Sequence, residues 1–140
     1  MPDPSPKTAL QMLRSVSRTF ALSIEQLPGV LSDAVSVSYL LLRVSDCLED
    51  HDSMPPERKS ELLRLWAEVL DQGRAVEQLT GRIQDLDGSD PEVYVAQHAS
   101  QVLQMLGRLP GPVQEAIIAR VAKTSRGMAR WQDHGPFVRD

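Results

Sequence analysis

The sequence predicts an all-α fold of about six helices. Apolar residues recur at three- and four-residue spacing over long stretches, and proline or glycine punctuates the gaps between them. No alternating run long enough to read as a strand occurs, and no internal repeat is visible. With 140 residues, 41% apolar and 24% charged, the chain can build one domain with a real core.

Pro2, Pro4 and Pro6 make residues 1–7 an extended leader. A first helix is expected from about Thr8 to Val16, with Leu10 and Leu13 on one side. Ser17 or Thr19 then caps a short helix carrying Phe20, Leu22, Ile24 and Leu27, which Pro28-Gly29 ends. The next helix starts near Leu31 to Ala34, with Ser32 as cap, and ends near His51. Pro55-Pro56 opens another, whose Leu62, Leu63, Leu65, Trp66, Val69 and Leu70 form an apolar stripe. Gly73 to Asp90 reads as a long, polar and patternless connection with room for a short turn, and Asp85, Asp87 and Asp90 fit a cation or, more commonly for acidic residues near glycines, solvated turns. Asp90-Pro91-Glu92 is a helix start, and that helix continues to Gly107 with His98 as an ordinary packed or surface residue. A last helix runs from Val113 to about Ala129, and Trp131 onward reads as a frayed end.

The run from Tyr39 to Asp50 stands out. At about 100° per residue, Tyr39, Arg43, Asp46 and Asp50 share a ~60° wedge of one helix face, with Glu49 on its shoulder. Val37, Leu40, Leu41, Val44 and Leu48 occupy the other side, too apolar for a surface helix, so the polar stripe faces a cavity, a partner or an ion. Carboxylates at i, i+3 and i+4 repel one another, which a hard divalent cation would relieve; Mg2+ commonly joins one or two carboxylates to substrate phosphates. Arg43 can pair with those carboxylates or with a phosphate through its planar fork. The same residues also fit an acidic helix end running into a solvated loop through His51 and Asp52. Likewise Ser17-Arg18-Thr19-Phe20 fits either an anion site at a helix N-terminus or an ordinary cap with a surface arginine.

A net charge of −4 argues against a nucleic-acid-binding surface. The single cysteine, Cys47, has no disulfide partner and reads as small core filler. No apolar run approaches the ~20 residues of a membrane span, and the N-terminus lacks signal-peptide features, so a cytoplasmic protein is expected.

Ser17-Arg18-Thr19-Phe20, then Leu27-Pro28, then Ala34 through Tyr39 and Arg43 to Asp46, Glu49 and Asp50, match in order, spacing and residue type over about residues 10–52. In these residues the chain resembles the N-terminal half of the squalene/phytoene synthases, head-to-head prenyl synthases of the all-α isoprenoid synthase fold. The DxxED form is closer to squalene synthases. The resemblance implies that Asp46, Glu49 and Asp50 bind Mg2+. It further implies that Ser17, Arg18, Thr19 and Arg43 contact the diphosphate, that Phe20 lines the prenyl channel and that Tyr39 sits beside the reacting centre. The implied substrate is a prenyl diphosphate, farnesyl or geranylgeranyl, with NADPH consumed in a squalene-type reaction and a peripheral membrane contact for release of the apolar product.

Family members run to about twice this length or more and carry a second aspartate-rich helix. Here nothing after Asp90 has the form DxxxD or DxxED. The expectation is an N-terminal portion of one isoprenoid synthase domain, inactive unless a complementary half or a second copy completes it. Alternatives are a phytoene or dehydrosqualene synthase, a terpene cyclase relative that shares ionisation without coupling, and a non-catalytic helical prenyl-binding or interaction module.

Overall fold

The computed structural model describes Met12 and residues 29–134. Among the described residues every regular element is a helix: α1 (Gly29–Asp50), α2 (Pro56–Asp71), α3 (Glu77–Thr80), α4 (Pro91–Gln97), α5 (Ala99–Leu106) and α6 (Gly111–His134). The expected helices before Gly29 lie outside the described residues, apart from Met12, which is helical and buried in the core.

Helix α1 is the hub, packing against α2, α4, α5 and α6, while α2 and α6 share the most extensive interface. Its apolar side is buried as the periodicity demands: Leu40, Leu41, Val44 and Leu48 are wholly inaccessible and Val37 nearly so. Trp66 of α2 is fully buried against this face, and its indole N–H donates to the Leu41 carbonyl at 3.3 Å. Ser125 of α6, also buried, donates to the Leu63 carbonyl at 2.7 Å, seating α6 on α2. Ion pairs fasten both ends of that pair: Arg126 grips Asp71 in two bonds, and Arg64 with Ser60 holds Asp133. This tether explains why α6 continues to His134 through Trp131 instead of fraying after Ala129.

Two other expectations need correction. The stretch from Gly73 to Asp90 is not patternless, because Leu79, Ile83 and Leu86 recur at four and three residues and all enter the core, with α3 forming one turn there. Polar bonds hold the rest: Gln97 donates to the carbonyls of Ile83 and Leu86 at 3.0 and 2.9 Å, and Arg58 donates to the Arg82 carbonyl at 2.7 Å. The helix expected from Asp90 to Gly107 is interrupted at His98, where φ −111° leaves the helical region. The His98 ring stacks on Tyr94 at 4.0 Å, and its Nδ1 lies 2.8 Å from the Tyr94 carbonyl, so that nitrogen carries the proton.

Helix boundaries otherwise follow local chemistry. The Asp90 carboxylate accepts from the Glu92 N–H at 2.9 Å, with Pro91 in the first turn. Gly73, at φ +70°, takes the left-handed conformation that ends α2, and Arg74 N–H returns to the Glu68 carbonyl at 3.3 Å. Helix α1 begins at Gly29, so Ser32 lies inside it and not at its cap.

Candidate active site

The polar stripe of α1 lies along the one helix face where the spacing put it, but it is neither fully solvated nor sealed. Tyr39, Arg43, Asp46 and Glu49 are all partly buried, and Asp50 at the helix end is exposed. Asp50 opens into a cleft of about 180 Å³ walled by Cys47, His51, Asp90, Glu92 and Val93. Helix α1 thus supplies one wall and the start of α4 the other.

Arg43 organises the site. Its Nη1 donates to Asp46 Oδ2 at 3.0 Å one turn along the same helix, and its Nη2 donates to Glu92 Oε1 across the cleft edge. The guanidinium lies 5.8 Å from the centre of the Tyr39 ring, a cation–π separation. Arg43 Nε is buried with no hydrogen-bond acceptor among the described residues. Glu92 is the member of this cluster that the pattern missed: in the sequence it looks only like a favourable first-turn carboxylate, and nothing local signals that α4 docks it on α1.

The electrostatics of Asp46 bear on metal binding. Burial pushes its carboxyl above the ordinary aspartate value; Arg43 offsets part of that, and the nearby charge of Asp50 raises it again. Asp46 is thus a partly desolvated carboxylate with Arg43 beside it and the charge of Asp50 nearby. Among the described residues no three His, Cys, Asp or Glu side chains are gathered closely enough to cage an ion. A pair of carboxylates is nevertheless what Mg2+ takes when substrate phosphates and waters complete its octahedron, so the donor set fits that ion. Cys47 is not part of this chemistry: burial first, then Glu92 and Asp90, push its thiol up to about 12.

Of the expected site residues, Tyr39, Arg43, Asp46, Glu49 and Asp50 are all carried by α1, and the structure brings Arg43 into contact with Asp46 and near Tyr39. Ser17, Arg18, Thr19 and Phe20 lie outside the described residues.

The fold and this face define a helical domain built around a carboxylate- and arginine-bearing helix, the arrangement expected of an isoprenoid synthase. Its relatives agree: the family model described as squalene/phytoene synthase matches residues 13–137. The chain belongs to the squalene/phytoene synthase family. It is 33% identical to squalene synthase LSS of Botryococcus braunii over 131 residues, covering 92% of this chain and 26% of that protein. Lycopaoctaene synthase of the same alga is 47% identical over 68 residues, 49% of this chain and 15% of its own. A solved ligand complex of TcSQS superimposes with a TM-score of 0.75 at 28% identity, over 90% of this chain and 35% of that one. The chain thus spans about a quarter to a third of the length of these relatives that match it over nine tenths of its own.

Proposed function

We propose that this chain supplies the first diphosphate-binding face of a squalene synthase-type enzyme, which joins two farnesyl diphosphates head to head. The observation that carries the proposal is the clustering of Arg43, Asp46 and Asp50 on one face of α1, with Arg43 bonded to a partly buried Asp46 and the exposed Asp50 one turn further on at the mouth of the cleft. Such a face binds a divalent ion and an anionic group together, and has no structural reason to be acidic on its own.

In this reading Asp46 and Asp50, with Glu49 beside them, hold Mg2+, which would neutralise charge on the departing diphosphate. Arg43 donates to diphosphate oxygens, helped by Ser17, Arg18 and Thr19, and stabilises the charge that grows as the carbon–oxygen bond breaks. Tyr39 places its ring beside the allylic carbon, where a π face favours developing positive charge. Phe20 lines the prenyl channel, and the apolar surroundings keep water from the cation. NADPH belongs to the squalene-type outcome as reductant of the coupled intermediate. The chain alone binds substrate without turning it over, because coupling needs the second aspartate-rich helix.

The test is equilibrium binding of the unreactive thiolo analogue of farnesyl diphosphate to this chain with Mg2+. D46N and D50N should each weaken binding by about tenfold or more, a loss of one charge-assisted ligand. Binding by both variants equal to that of the unsubstituted chain would refute the site. Release of diphosphate from farnesyl diphosphate by the chain alone, with or without NADPH, would refute its dependence on a second half.

A further inference from the structure

We infer that Glu92 is a built-in counterion, a positioning residue that occupies Arg43 until a diphosphate takes its place; the inference rests on the assignment of Arg43 to diphosphate binding made above. A guanidinium grips a phosphate through two parallel N–H bonds. Arg43 has two such edges, Nε with Nη2 and Nη1 with Nη2, and both include Nη2. That nitrogen is the one Glu92 holds, while Nη1 is already committed to Asp46. Nη2 carries two hydrogens, one for each edge, so Glu92 closes one edge to a diphosphate and sets its own negative charge against an anion that approaches the other.

The Nε–Nη2 edge is half-used. Nη2 has the Glu92 carboxylate, yet Nε beside it is buried with no acceptor among the described residues. An anion with two oxygens at the right spacing satisfies both donors, whereas the Glu92 carboxylate satisfies only one. Glu92 can leave at low cost, because its side chain is 34% exposed and stands at the rim of the cleft, where water can receive it. The exchange selects for charge: a weakly charged anion does not repay the loss of Glu92, and a diphosphate does.

The test is calorimetric titration of inorganic diphosphate with Mg2+ into this chain, comparing the unsubstituted protein with E92Q, R43K and the double variant. Inorganic phosphate serves as the weakly charged control. E92Q should bind diphosphate about tenfold tighter, the gain from removing a competing charge-assisted bond, and should narrow the preference for diphosphate over phosphate. In the R43K background, which has no fork to compete for, the gain from E92Q should fall below about twofold. A merely structural Glu92 would lower the unfolding temperature on substitution and leave affinity unchanged or weaker. E92Q binding no tighter, or a gain that persists undiminished in R43K, overturns the counterion role. If the unsubstituted chain binds diphosphate and R43K weakens it while E92Q has no effect, only the role of Glu92 falls. If the unsubstituted chain binds no diphosphate, the site assignment falls and this inference with it.

Discussion

Replacing Arg43 with methionine keeps the aliphatic stem and removes the charge, and its cost can be worked from the geometry. The guanidinium makes one bond to Asp46, one to Glu92 and a cation–π contact to Tyr39. Breaking a fully buried pair costs about 3–5 kcal/mol, while a solvated pair is worth about 0–1 kcal/mol. The side-chain exposures of 23% for Arg43, 29% for Asp46 and 34% for Glu92 place these bonds between the two limits. We expect R43M to lose about 2 kcal/mol, mostly because Asp46 and Glu92 are left facing one another without a cation. For a domain of this size that corresponds to a fall in unfolding temperature of about 7 °C. Urea unfolding followed by far-ultraviolet circular dichroism measures the free energy directly. A loss under about 0.5 kcal/mol would mean that the triad behaves as a solvated surface pair, and the partly buried, charge-dense picture of the site would be wrong.

W66F removes the indole bond to Leu41 and leaves a gap between α1 and α2, so it should cost about 2 kcal/mol in the same assay; a neutral result would show that Trp66 is not the seat of α1. Hydrogen bonds from Arg64 and Ser60 hold Asp133 down to about 2, and hydrogen bonding from Arg126 lowers Asp71. Stability from these depressed carboxyls is present above the ordinary aspartate value of 3.8 and is lost as pH falls towards about 2. D71N and D133N should therefore flatten the pH dependence of unfolding over that acid window, and an unchanged slope would count against the ion pairs at the two ends of α2 and α6. With its thiol pushed up to about 12, Cys47 should resist a thiol-reactive dye at neutral pH and react fully once the chain is unfolded in denaturant. Rapid labelling of the native protein would show that this face of α1 opens easily.

Much of the fold was legible because its signals are local. Periodicity separated the Leu40, Leu41, Val44 and Leu48 side of α1 from its polar stripe and put Trp66 in the core, and the lack of any partner cysteine put Cys47 there; both are buried. Proline and aspartate marked the starts of α2 and α4 correctly. What was misread involved partners distant in sequence. The segment after Gly73 has its own signal in Leu79, Ile83 and Leu86, but its polar surroundings are ordered by Arg58 and Gln97, and the end of α6 looked frayed because Asp133 is held from α2. The break at His98 coincides with a ring that stacks on Tyr94 and bonds its carbonyl, a contact that composition does not reveal.

The site divides in the same way. The spacing of Tyr39, Arg43, Asp46 and Asp50 determined that they share one face of one helix, because helical geometry converts sequence separation into angle with no help from the rest of the chain. Only the tertiary structure decided how that face is used. Docking of α4 beside α1 brings Glu92, 49 residues away in sequence, onto Arg43 and closes the wall of the cleft. The burial that raises the carboxyl of Asp46 likewise depends on neighbouring helices excluding water. Pairing across elements and the loss of solvent are properties of packing, and no periodicity within a single helix encodes them.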